Sequence, residues 1–220
     1  MGFALSRPQL PGGFLGRAVA QNRSGEFVDD SLPLAWQMLM QVPSWVVMLG
    51  VTWAVAGVLG RARSGWSFKG KPMDLVRGLG VGFILQIPIV VIVVSIMTLI
   101  FGEITPTGRP QGLVDSIEGP VDLLALIGIV AIGAPIVEEL FYRGVLQRSL
   151  VERFGPAIGI SVASLIFGAV HFAWVDFPPL TVVGAGFGIL AHRYGRLLPA
   201  IVAHMTFNSV ALAVLLLSAS

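Results

Sequence analysis

Three short runs carry almost all the chemistry available to this chain. They are Glu138-Glu139-Leu140-Phe141-Tyr142-Arg143, Phe167-Gly168-Ala169-Val170-His171 and His204-Met205-Thr206-Phe207-Asn208. On a helix, Glu139 and Arg143 are i and i+4 and share a face, acid before base, the favourable order for an ion pair. Glu138 is turned about 100° away and finds no cation on its own helix. One carboxylate is therefore expected to be neutralised and the other left to act as a general base, the role an unpaired carboxylate in a dry site can fill. The competing reading is a helix end whose charges simply reach water. His204 and Asn208 are again i and i+4, so their polar ends converge, and paired donors on a rigid helix can hold an oxyanion. An interhelical hydrogen bond would explain that pair equally well. His171, taken alone, reads more simply as an interfacial or satisfied core histidine, while Gly168 and Ala169 permit close approach of another helix.

The elements that must position these residues are written in the composition. Of 220 residues, only 12% are charged and 55% are hydrophobic, and mean hydropathy is +0.85. That charged share is about half of what water-exposed domains carry. The expected fold class is all-α, a polytopic integral membrane helical bundle of about six transmembrane helices. The absence of cysteine excludes disulfides, thiolate metal sites and cysteine nucleophiles. With a formal net charge of +2 and no run of clustered basic and aromatic residues, no nucleic-acid partner is expected.

A spanning helix needs about 20 apolar residues, because lipid offers no partner for backbone polar groups. The expected spans are 35–59, 78–101, 123–137 running on into Glu138, 156–172, 177–191 and 197–217. Residues 1–32 form an N-terminal juxtamembrane segment and 33–220 the membrane domain, with a catalytic core at about 120–210. Pro120, Pro156 and Pro199 fall where a first helical turn tolerates them. The loops after spans one, three and five carry Arg61, Arg63, Lys69, Lys71 and Arg77, then Arg143, Arg148 and Arg153, then Arg193 and Arg196. These basic loops are expected to face the cytoplasm, in what looks like a bacterial cell membrane. His192 reads as interfacial, Asp176 as a turn residue, and the Gly184-Ala185-Gly186-Phe187-Gly188 run as close helix packing.

Depth constrains the site. At about 1.5 Å per residue, Glu138 and His171 each lie roughly 22 Å from the start of their spans, on helices running in opposite directions. They meet only if the fourth and fifth spans form a short hairpin with a submerged apex. Pro135 is placed to kink the third span.

Together, in this order, the three runs resemble the CAAX prenyl protease and bacteriocin-processing family of membrane proteins, also called the Abi or type II CAAX endopeptidase family. Its pattern is Glu-Glu-x-x-x-Arg, Phe-x-x-x-His and His-x-x-x-Asn/Asp on successive membrane helices, and the resemblance covers about residues 120–210. It implies an intramembrane endopeptidase of the glutamate type, acting on a membrane-associated and possibly prenylated peptide. Carried onto matching positions, it implies that Glu138 and His171 activate a water, that His204 and Asn208 stabilise the oxyanion, and that Glu139, Arg143 and Phe167 support the site. No cofactor is implied; the alternative is a zinc ion held by Glu138, His171 and His204, a sensible N/O set without a His-Glu-x-x-His helix behind it. A further alternative is a non-catalytic immunity or chaperone-like protein on the same scaffold.

Overall fold

The computed structural model describes residues 34–59, 70–104 and 109–219. Among them are eight helices and no strand. They are α1 (Leu34–Leu39), α2 (Val42–Leu59), α3 (Pro72–Phe101), α4 (Arg109–Asp115), α5 (Pro120–Phe154), α6 (Pro156–Ala169), α7 (Phe177–Tyr194) and α8 (Leu198–Ala219). The all-α expectation is met, and the six expected spans correspond to α2, α3, α5, α6, α7 and α8. Three of them, α3, α5 and α8, are long and apolar enough to cross a membrane. The stretches 42–55 and 156–169 are apolar but shorter. Large apolar side chains face outward, Trp53 being 80% and Leu99 85% exposed, as a lipid-facing surface requires. The expected segment 1–32, with Arg61, Arg63 and Lys69, lies outside the described residues.

Two expectations need correction. The first span, 35–59, is broken at Met40 and Gln41. Pro43 has no N–H to offer the preceding turn and its ring crowds the carbonyl four residues back, so a new helix starts at Val42. Gln41 and Ser44 close the break, Ser44 Oγ donating to the Gln41 carbonyl at 2.7 Å. The third span, read as apolar up to Val137, begins at Pro120 and continues without interruption to Phe154, so Glu138 sits mid-helix rather than at a helix end. His192, read as interfacial, lies exposed in the last turn of α7.

Prolines leave their mark inside the long helices. In α3 the widened π turn 85–89 contains Pro88. In α5 the π turn 127–133 precedes Pro135, and a second one, 142–147, follows the two glutamates. Such widened turns break the i to i−4 ladder and recur at functional sites.

α8 is the hub, packing against α3, α5 and α7, while α6 and α7 form an antiparallel hairpin beside α5. One core cluster joins α3, α7 and α8 through Leu85, Val183, Phe187, Ala203 and Phe207. A second, toward the other end of α8, joins α1, α4 and α5 to Leu212 through Leu34, Met38, Val114 and Leu126.

Candidate active site

α5 supplies the acids. Glu139 is fully buried, and its Oε1 lies 3.2 Å from Arg143 Nη1 one turn on. The i, i+4 pair read from the sequence is formed, and its burial excludes a helix end opening to water. The same oxygen lies 3.0 Å from His204 Nδ1 on α8. Glu138, on the adjacent face with its side chain 15% exposed, has Oε2 3.9 Å from His204 Nε2. Two neighbouring carboxylates thus address the two nitrogens of one imidazole. Glu139 fixes the ring through Nδ1, and Nε2 is turned to the Glu138 side.

Aromatic rings hold that imidazole in place. His204 stacks on Phe187 of α7 with centroids 4.7 Å apart and meets Phe167 of α6 edge-on at 5.7 Å. The Phe167 ring also meets His171 at 5.1 Å and Tyr142 at 5.3 Å. The Arg143 guanidinium lies 4.6 Å from the Phe167 ring centre, close enough for a cation–π contact. Phe167 is therefore the buried wedge between the two histidines and the arginine.

The expected short hairpin is formed by α6 and α7. α6 has only 14 residues, and Asp176 lies in the turn directly before α7, the expected turn residue. His171 sits on the intervening turn, level with the Phe167 ring. Its Nδ1 pairs with the Phe167 carbonyl at 2.8 Å. A carbonyl only accepts, so Nδ1 carries the proton, and in the neutral ring Nε2 is the basic nitrogen. The next residue, Phe172, has φ +53°, a left-handed conformation unusual for a bulky side chain.

Asn208 is engaged elsewhere. Its Nδ2 donates to the Val130 carbonyl at 2.8 Å, inside the π turn where the helical ladder is broken. It therefore makes the interhelical hydrogen bond that was the alternative reading, with one of its two amide N–H groups spent there. Among the described residues no three His, Asp or Glu side chains gather as a metal-ligating set, Glu138, His171 and His204 included. A cavity of about 250 Å³ adjoins the site, with Arg143 and Gln147 in its wall; Glu138, His171 and His204 do not line it.

Several contributors escaped the sequence reading. Arg143 Nη2 donates to the Gly184 carbonyl at 2.8 Å, and Gln147 Nε2 to the Gly188 carbonyl at 2.9 Å. Two polar side chains one turn apart on α5 thus grip two glycine carbonyls one turn apart on α7. The signal was present: Glu139, Arg143 and Gln147 recur at steps of four, facing a glycine run with the same step. Phe187 was visible as the one aromatic inside that run. Asp74, on the far-off α3, gave no such signal.

Residues 120–210 match the family model described as type II CAAX prenyl endopeptidase Rce1-like. That segment holds all seven expected site residues, and the family resemblance is borne out there on a bundle of apolar membrane helices. The "Putative membrane peptidase YdiL" of Bacillus subtilis (strain 168) is 28% identical over 115 residues, covering 52% of this chain and 46% of that protein. The match thus spans about half the length of the curated relative. No solved structure matches the chain.

Proposed function

We infer that this chain is an intramembrane endopeptidase that hydrolyses a peptide bond with a carboxylate-activated water. The observation that carries the reading is Glu138 facing His204 Nε2 at 3.9 Å while Glu139 holds Nδ1 of the same ring at 3.0 Å. In the proposed sequence, Glu138 with His171 takes a proton from water, and the hydroxide oxygen bonds to the scissile carbonyl carbon. The carbonyl oxygen gains the negative charge and is met by the second amide N–H of Asn208 and by the His204 ring, which donates from Nε2 only as the doubly protonated imidazolium because its Nδ1–H is given to Glu139. Glu138 returns the proton to the amide nitrogen, the C–N bond breaks, and a carboxylic acid and an amine form, the acid's remaining proton passing to the amine so that a carboxylate and an ammonium leave. Glu139, Arg143 and Phe167 keep the imidazoles in place. The occupant of the site is a membrane-associated peptide or a membrane-protein tail, with a prenylated peptide as the family's name-giving case.

The test is a proteomic comparison of membranes carrying wild type and Glu138→Ala at equal abundance. Uncut termini should accumulate in the variant. Identical terminal profiles, together with full biological activity of Glu138→Gln, would leave a non-catalytic role on this scaffold.

A further inference from the structure

The cavity of about 250 Å³ lies between the second half of α5 and the α7–α8 junction. Its basic wall is Arg148, His192 and Arg196, with Arg143 as its floor and Glu152 as its acidic member. Apolar wall is supplied by Val151, Ala191 and Leu197. Here α5 and α7 pass from apolar to charged sequence, and Lys71, Arg77, Arg153 and Arg193 lie at or near the same helix ends.

The cations differ in how firmly they are held. Arg196 is clamped to buried Asp74 by Nε and Nη2, both at 2.5 Å, and the same carboxylate lies 3.5 Å from Arg77, so two fixed cations share one acid and the group keeps a positive charge. Arg148, with 34% of its side chain exposed, is tied through Nε to exposed Glu152 at 3.1 Å. An exposed pair of that kind contributes little, so Arg148 can exchange it for a stronger, charge-assisted bond to a phosphate. Arg143 is already neutralised by Glu139 and serves as a wall. The arrangement suits an oxyanion, and its apolar side suits the carbon skeleton attached to one. Basic pockets between membrane helices take lipid headgroups for these reasons.

We propose that this cavity binds a phosphate oxyanion carried by an anionic lipid headgroup. The inference needs the helices to span a bilayer and does not depend on peptidase activity. The full chain is reconstituted in phosphatidylcholine nanodiscs with graded phosphatidylglycerol, and lipid retained on release is counted by native mass spectrometry. Wild type should retain phosphatidylglycerol roughly tenfold more strongly than Arg148→Gln/His192→Ala. Glu152→Gln, which removes the competing carboxylate, should retain it more strongly than wild type, giving a readout of opposite sign if the double variant fails to fold. Inorganic phosphate competing equally well, with phosphatidylglycerol no better retained than phosphatidylcholine, assigns the oxyanion site to the soluble ion. Equal retention by all three proteins, with no competition by phosphate, overturns the site.

Discussion

Glu139 Oε1 and His204 Nδ1 stand 3.0 Å apart although 65 positions separate them in the chain. The same oxygen lies 3.2 Å from Arg143 Nη1, so one buried carboxylate joins the cation of its own helix to the imidazole of another. Glu138, one residue away, is left with the outer nitrogen of that imidazole. The division of labour between adjacent glutamates is thus geometric: one faces the packed interior between α5, α7 and α8, the other the open side.

Removing Glu139 leaves the Arg143 guanidinium buried without its counter-ion. Breaking a buried pair from one side costs about 3 kcal/mol or more, so Glu139→Ala should show a clearly lowered melting temperature in detergent. Glu139→Gln, which keeps the shape, should lose less. Unchanged melting with only turnover reduced would mean that the two glutamates have exchanged roles.

Glu138 and His171 should behave in the opposite way. Glu138→Ala and His171→Ala are expected to insert and melt like wild type while peptide cleavage falls by about 10²-fold or more, the usual contribution of a positioned general base. Cleavage of a reporter peptide by purified protein, normalised to folded protein, checks this. Wild-type turnover in either variant removes that residue from the mechanism.

Much of this was legible in sequence because lipid makes polarity expensive. Glu138, Glu139, Arg143, His171 and His204 stood out against apolar spans, and helical spacing alone paired Glu139 with Arg143. Long-range partners were not legible, since nothing local joins position 139 to 204 or 208 to 130. Asn208 shows the limit. Its spacing from His204 reads as a shared oxyanion site, yet its Nδ2 meets a carbonyl exposed by a π turn, and the break at Pro135 that widens that turn belongs to another helix. Asp74 was invisible because its significance lies in Arg196, across the bundle.

Gly168 sets the height of the Phe167 wedge. A Cβ there would stand 2.8 Å from the Phe177 carbonyl oxygen and 3.2 Å from Thr181 N, and neither backbone atom can yield without moving α7. Gly168→Ala should therefore destabilise by about 1–3 kcal/mol and reduce turnover by shifting Phe167 and His171. At Gly80 a Cβ meets nothing within 4 Å, so Gly80→Ala should be neutral or stabilising by up to about 1 kcal/mol. Thermal melts of the two variants side by side separate packing from propensity; equal shifts would refute the close-approach account.

Asp74 holds the start of α3 to the α7–α8 junction. It is fully buried, accepts two bonds from Arg196 and one from the Lys71 backbone N–H at 2.8 Å, and lies 3.5 Å from Arg77. Arg77 in turn sits 4.5 Å over the Tyr194 ring. Hydrogen bonds to charged groups contribute about 1.5–3 kcal/mol, so Asp74→Asn should lower stability by about 2 kcal/mol. In a double-mutant cycle with Arg196→Gln, the double variant should lose less than the two single losses combined. Strict additivity would show that the clamp contributes nothing of its own.

Metal dependence is decided by the same imidazoles. A carboxylate on Nδ1 of His204 and a carbonyl on Nδ1 of His171 are the supports that also orient metal-binding histidines. Nε2 is then the basic nitrogen of each neutral ring, and on His204 it lies 3.9 Å from Glu138. A zinc site would need a third ligand at the same point, and no such trio gathers among the described residues. Cleavage is therefore expected to survive exhaustive chelation, with less than one equivalent of metal in the purified protein by elemental analysis. Activity abolished by a chelator and restored by one equivalent of zinc would instead make Glu138, His171 and His204 ligands that close on the ion when it binds. In that case Glu138→Ala and His171→Ala should lose metal and activity together, whereas a carboxylate-activated water predicts loss of activity with metal content unchanged.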